Sequence, residues 1–257
     1  MPLAPRPGLN VGASSAASKA AASDGGSPIK AAYFDIGNVL LRFDPTKVGR
    51  RLAWEVRRRP LKVLSYLWDS SFGERIETGR IGSRALYGLF RKELGFQGTY
   101  RRFKRLWCDA FEFRVDRKAV SILRRLSREI PVYLLSNTNH LHFDHIRRRY
   151  AFVRLVRRSF VSHRMGLRKP DAAIYKAALA EAGVKPHEAF FVDDLKENVE
   201  AARRVGMKAL RYDKPESLEK ELRGLGLLNA RTAKRPRAAA RTGSKPGTAA
   251  GPPSPSA

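Results

Sequence analysis

The chain has 257 residues, 43% of them apolar, and 51 Lys and Arg against 24 Asp and Glu, a formal charge of +27. This suits one sizeable α/β domain, or a domain carrying a smaller insertion, and the single cysteine, Cys108, excludes an internal disulfide and fits a reducing compartment as a small core filler. No apolar run approaches the ~20 residues of a membrane span, so a soluble, cytoplasmic protein is expected, whose basic field can steer a phosphorylated substrate or touch nucleic acid.

Residues 1 to 28 are rich in Ala, Ser, Gly and Pro without apolar periodicity and read as a disordered extension. Ala31 to Phe34 form an apolar run that reads as a buried central strand, and the run stops at Asp35, followed by the turn-like Ile36, Gly37 and Asn38. A carboxylate at the carboxyl end of a strand in a parallel α/β sheet is placed to act as nucleophile or metal ligand; the plainer reading is a cap for the next element.

After Asp44-Pro45 the pattern turns helical over Thr46 to Arg59, Leu61 to Ser70, Ser83 to Leu94 and Thr99 to Ala110, with no strand pattern between them. An all-helical block of about 46 to 114, directly after the first strand, is expected to be an inserted cap on a core of 29 to 45 and 115 to 228. A helix from Asp116 to about Glu129 follows, and Val132 to Leu135 form a second buried strand ending in Ser136, Asn137, Thr138 and Asn139, groups suited to holding an anionic oxygen.

Beyond a helix to about Tyr150 and a short strand near Ser159 to Ser162, Lys169-Pro170-Asp171 sits at the start of a helix closed by Gly183. Ala189 to Val192 is a further strand, ending in Asp193-Asp194, with Asn198 one helical turn beyond. A helix to about Val205, a strand over Met207 to Tyr212 and a short helix ending near Leu228 complete a Rossmann-like parallel sheet flanked by helices. Residues 229 to 257, with six basic residues and no acidic one, read as a disordered basic tail.

Asp35, Ser136, Lys169 and the Asp193-Asp194 pair therefore converge on one sheet edge, and supply a nucleophile, an oxygen anchor, a positive charge and a divalent-cation site. That inventory suits phosphoryl transfer, because a carboxylate attacks phosphorus only when the charges of both are masked.

On these residues the chain resembles the haloacid dehalogenase superfamily over Ile29 to Leu228: FDIGNVL around Asp35, LLSNTN around Ser136, GLRKPDAAIY around Lys169 and FVDDLKENVEAA around Asp194 match its four motifs in order. The details are most similar to the subgroup of glucose-1-phosphatase-like enzymes and epoxide hydrolase phosphatase domains, and ETGRIGS (Glu77 to Ser83) resembles a stretch of that subgroup's cap. The resemblance implies a Mg²⁺-dependent phosphatase acting on a small phosphorylated metabolite, a sugar 1-phosphate among the possibilities. It implies that Asp35 forms an aspartyl-phosphate, Ser136 and the Asn137 backbone hold a phosphoryl oxygen, Lys169 offsets charge, and Asn198 orients Lys169 or the metal shell. The metal would be held by Asp35, the Gly37 carbonyl and Asp194 with Asp193 beside it.

Most family phosphatases carry a second Asp where this chain has Gly37, and that residue serves as general acid and base; the named subgroup also carries Gly there. Two other readings stand beside the phosphatase: a dehalogenase on the same fold, which needs no paired carboxylates at the last strand tip, and a non-enzymatic binding protein using the basic surface. His140, His142 and His145 lack the i, i+4 spacing of a helical zinc site. Trp54, Trp68 and Trp107 are expected in the core of the helical block.

Overall fold

A computed structural model describes residues 28–56, 70–111 and 113–228. All but the last residue of the extension expected over 1 to 28, the tail expected over 229 to 257, the end (57 to 59) of the helix expected over 46 to 59 and nearly all of the helix expected over 61 to 70, Trp68 included, lie outside the described residues.

The order of elements is β1 (Ala31–Phe34), β2 (Leu41–Arg42), α1 (Pro45–Val56), α2 (Ser70–Glu77), α3 (Ser83–Leu94), α4 (Tyr100–Asp109), β3 (Arg114–Val115), α5 (Arg117–Leu126) and β4 (Val132–Ser136). Then come α6 (His140–Arg149), β5 (Arg158–Val161), α7 (Ser162–Met165), α8 (Ala172–Ala182), β6 (Ala189–Asp193), α9 (Lys196–Val205), β7 (Lys208–Arg211) and α10 (Pro215–Gly224). The main sheet has the order β5-β4-β1-β6-β7 with every pairing parallel, so β1 is central and the carboxyl ends of β4, β1 and β6 lie side by side.

A central parallel strand is covered on both faces, which is why β1, β4 and β6 read as unbroken apolar runs. Alternate residues feed opposite cores. Ala32, Phe34, Val132, Leu134, Phe190 and Val192 join Ile122 and Leu123 of α5, Phe143 of α6 and Leu218 of α10 on one face. On the other, Ala31, Tyr33, Leu135 and Phe191 pack on Ile174, Tyr175 and Leu179 of α8 and Ala202 of α9.

Helices α1 to α4 build a separate core from Leu52, Phe72, Ile76, Leu86, Phe90, Phe103 and Trp107, joined by Leu141 of α6. The helix starts follow capping chemistry: Thr99 accepts from the Arg102 amide at 3.2 Å, Asp116 from Ala119 at 3.0 Å and Asn139 from His142 at 3.1 Å. Chain exit and return are bracketed by an antiparallel ribbon that pairs Leu41 with Val115 and Arg42 with Arg114. Sequence reading passes over this ribbon, because two residues are too few to show a period and the partners lie 74 and 72 positions apart. It also misses α2.

The tryptophan expectation divides. Trp107 is buried, whereas Trp54 is 85% exposed. On α1 the residues turned inward are Leu52, Ala53 and Val56, and the 100° step per residue leaves Trp54 on the outer face. Cys108 is buried, its Sγ 3.5 Å from the Leu141 carbonyl, and burial raises its thiol pKa to about 12, as befits an inert core residue.

Candidate active site

Because β4, β1 and β6 are adjacent and parallel, the first residues past their carboxyl ends fall together. Asp35 continues the β1 ladder by donating its amide to the Val192 carbonyl at 2.9 Å, which fixes its backbone before the chain turns away. Ser136 closes β4 and Asp193 closes β6, so both stand on strands flanking β1.

Lys169 reaches this edge from the loop between α7 and α8, and its backbone is clasped by one side chain. Asn137 Nδ2 donates to the Lys169 carbonyl at 2.8 Å, and the Lys169 amide donates to Asn137 Oδ1 at 2.9 Å. The Lys169 ammonium is fully enclosed and donates to Asp35 Oδ1 at 2.8 Å, the Leu135 carbonyl at 3.0 Å and Asp193 Oδ2 at 2.5 Å. All three of its protons are thereby engaged. Asp193 Oδ1 accepts from Asn198 Nδ2 and the Leu195 amide, each at 2.9 Å, so Asn198 acts on Lys169 through Asp193.

Asp194 is half-buried, and its Oδ2 accepts from Asn38 Nδ2 at 3.2 Å. Asn38 has φ 51°, a left-handed conformation that Asn tolerates better than most residues, and its Oδ1 accepts from the Phe43 amide at 3.4 Å. It thus ties the turn after β1 to the β6 tip, a role the sequence shows only as a turn signal.

Asp35, Asp193 and Asp194 each offer an oxygen within 4.8 Å of the others, the one such cluster of potential metal-binding residues among the described residues. Three carboxylates against one ammonium leave an excess of negative charge. Burial, reinforced by Asp193 and opposed by Lys169 and the Ser136 hydrogen bond, raises the pKa of Asp35 to about 6. Burial and Asp193 also raise that of Asp194. Burial disfavours the Lys169 ammonium, but Asp193 and Asp35 outweigh it and hold the group above its usual range. The histidines do not enter this site as ligands: His142 is buried, with Nδ1 3.0 Å from the Asn139 amide and Nε2 3.3 Å from the Trp107 carbonyl.

A cavity of about 340 Å³ opens onto this edge, with Gly37, Ser136 and Asn137 at its base and Ile76, Trp107 and Phe111 from the helical block in its wall. Glu77 and Arg168 meet at its side, 3.0 Å apart, one from α2 and one from the residue before Lys169. Burial raises the pKa of Glu77 despite Arg168. Sequence reading gives neither member of this pair a role.

The sequence profile of the haloacid dehalogenase-like hydrolases matches residues 29–206. The sesquiterpene phosphatase astK of Aspergillus oryzae is 32% identical over 187 residues, covering 70% of this chain and 88% of that protein. The D-ribitol-5-phosphate phosphatase of Bacteroides thetaiotaomicron is 24% identical over 76% of this chain and 97% of its own. Among solved structures, the magnesium complex of the HAD family enzyme bt-2542 from Bacteroides thetaiotaomicron superposes with a TM-score of 0.67 at 24% identity, over 77% of this chain and all of that one.

Proposed function

The chain belongs to the haloacid dehalogenase-like hydrolase family, and on that premise we propose that it is a Mg²⁺-dependent phosphatase that hydrolyses a phosphate monoester through Asp35. The observation that carries this reading is the cluster of buried Asp35, buried Asp193 and half-buried Asp194, with Lys169 bridging the first two. A dehalogenase attacking carbon has no use for that density of carboxylates, and a binding surface has no use for burying it. Relatives described as phosphatases support the same reading.

The donor set consists of hard oxygens, the kind Mg²⁺ prefers. Asp35, Asp194 and the Gly37 carbonyl would hold the ion. Asp193, already accepting three hydrogen bonds, would fix Lys169 and Asn198 before it served as a ligand. When bound, the ion supplies neutralisation of the charges shared by carboxylate and phosphate.

An Asp35 carboxylate oxygen attacks phosphorus as the bond to the ester oxygen breaks, giving an aspartyl-phosphate and an alcohol that takes up a proton. Water then attacks phosphorus, Asp35 leaves as carboxylate, and inorganic phosphate is released. Lys169 touches the Asp35 oxygen and steadies the negative charge gathered there, while Ser136 anchors a phosphoryl oxygen. Helices α2 and α4, which line the cavity with Ile76 and Trp107, act with α1 and α3 behind them as a cap that limits water and reads the alcohol. The test is phosphate release by the purified chain: loss of at least about a hundredfold in the Asp35→Asn variant and on chelation, the latter restored by Mg²⁺, is expected. Undiminished release in both would sink the reading.

A further inference from the structure

We propose that the site selects a phosphate ester of an apolar alcohol, branched aliphatic or aromatic, over a sugar or polyol phosphate; this rests on the phosphatase reading above. The cavity adjoins Ser136 and Gly37, so whatever fills it is the alcohol half of the ester. Its walls carry Phe43, Ile76, Trp107, Phe111, Phe113 and Ile146. The aromatic side is internally packed: Phe111 stacks on Phe113 at 5.5 Å between centroids, Phe43 lies 5.4 Å from Phe111, and Trp107 stacks on His142 at 5.4 Å. Such a wall is formed before anything binds.

The decisive feature is what the polar lining residues already do. Both ends of the Asn137 amide are taken by the Lys169 backbone. Asn139 and His142 satisfy one another, and the second His142 ring nitrogen faces the Trp107 carbonyl. Glu77 and Arg168 form an ion pair at 3.0 Å, with Glu77 Oε2 and Arg168 Nε left without a hydrogen-bond partner. Trp107 Nε1 is also buried without a partner, so these residues leave two donors and one acceptor open against the several hydroxyls of a polyol. Each sugar hydroxyl that reaches none of these three atoms exchanges water for an apolar wall, a loss of about tenfold in affinity per unpaired group, while hydrocarbon gains by the same transfer.

The test uses the full chain with saturating Mg²⁺ and compares kcat/KM for geranyl monophosphate and 2-naphthyl phosphate with glucose 6-phosphate and ribitol 5-phosphate, whose primary alcohols leave no more easily than geraniol does. Acetyl phosphate, an acyl phosphate, serves as a small substrate that leaves the cavity unfilled. The apolar esters are expected to lead both polyol phosphates by at least about tenfold, and Phe111→Asn or Phe43→Ser to narrow that lead. Turnover of acetyl phosphate with polyol phosphates equal to or ahead of the apolar esters overturns the inference and leaves the phosphatase reading standing. A lead that neither variant narrows overturns the assignment to this wall. Turnover of none of the five by the folded chain overturns both.

Discussion

Lys169 and Asp193 form an ion pair from which water is excluded, with 2.5 Å between Nζ and Oδ2 and both side chains at most 1% exposed. Removing one partner of such a pair strands the other, at a cost of about 3–5 kcal/mol. Lys169→Met is therefore expected to lose stability on that scale in urea unfolding, with phosphate release abolished. Lys169→Arg should not rescue it, since a planar guanidinium cannot place one nitrogen against Asp35, Asp193 and the Leu135 carbonyl together. A fully active Arg variant would show that charge alone suffices.

The raised pKa of Asp35, about 6 through burial, has a consequence for metal binding. Above pH 6 the carboxylate is ionised and available to a cation; below it, a proton must be displaced first. Mg²⁺ affinity measured by calorimetry is expected to fall about tenfold between pH 7 and pH 5, with proton release on binding at the lower pH. Affinity that is level across this window would place the cation away from Asp35.

Glu77 and Arg168 join α2 to the loop of Lys169. Both side chains are 31% exposed, so the pair adds little to folding, yet it sets where the helical block sits over the cavity. Glu77→Gln is expected to move the thermal midpoint by at most a few degrees and to raise KM several-fold. A large drop in the midpoint with unchanged KM would make the pair structural only.

Much of this arrangement is legible from sequence because its parts are local. The continuous apolar runs of β1, β4 and β6 announce buried parallel strands, and the residue types at their ends mark Asp35, Ser136 and Asp193-Asp194. What depends on distant partners is not legible. The β2 and β3 ribbon joins residues 72 and 74 apart, and Asn137 uses its side chain on a backbone 32 residues away, where sequence reading assigns only its own amide. Glu77 and Arg168 announce nothing until α2 is laid against the core, and Trp54 shows that an aromatic residue in an amphipathic helix is not thereby buried.

His142 is buried against Trp107 and Phe111, and burial lowers its pKa from 6.5 to about 3. Below pH 6.5 the unfolded chain takes up a proton that the folded chain refuses until about pH 3. This group's contribution to stability is thus complete above 6.5 and lost as the pH falls toward 3, at up to ~1.4 kcal/mol per pH unit. Urea unfolding at pH 7 and pH 5 should show a shallower decline for His142→Gln than for the parent chain, by ~2 kcal/mol. Parallel declines would mean that His142 is protonated in the folded state.

Gly37 leaves no side chain two residues after the nucleophile to protonate the departing alcohol, a service typically worth ~10²- to 10⁴-fold. Esters whose alcohol leaves as a stable anion should therefore be favoured: phenyl phosphate should outrun benzyl phosphate, which matches it in shape and apolarity but leaves as a far more basic alkoxide. Space exists to restore a carboxyl, because a Cβ at Gly37 would lie 3.4 Å from Phe43 Cε1 and 3.7 Å from Asp35 Oδ2. Gly37→Asp is expected to raise kcat on benzyl phosphate by at least tenfold while changing phenyl phosphate little. Glu77, in the same cavity with a raised pKa, is a rival donor, and it leaves a distinct trace. If Glu77 supplies the proton, the parent enzyme handles both esters alike, and Glu77→Gln slows benzyl phosphate selectively, with loss of the alkaline limb of its pH profile. Equal rates in the parent without that selective loss would remove protonation as the determinant of which esters this site can cleave.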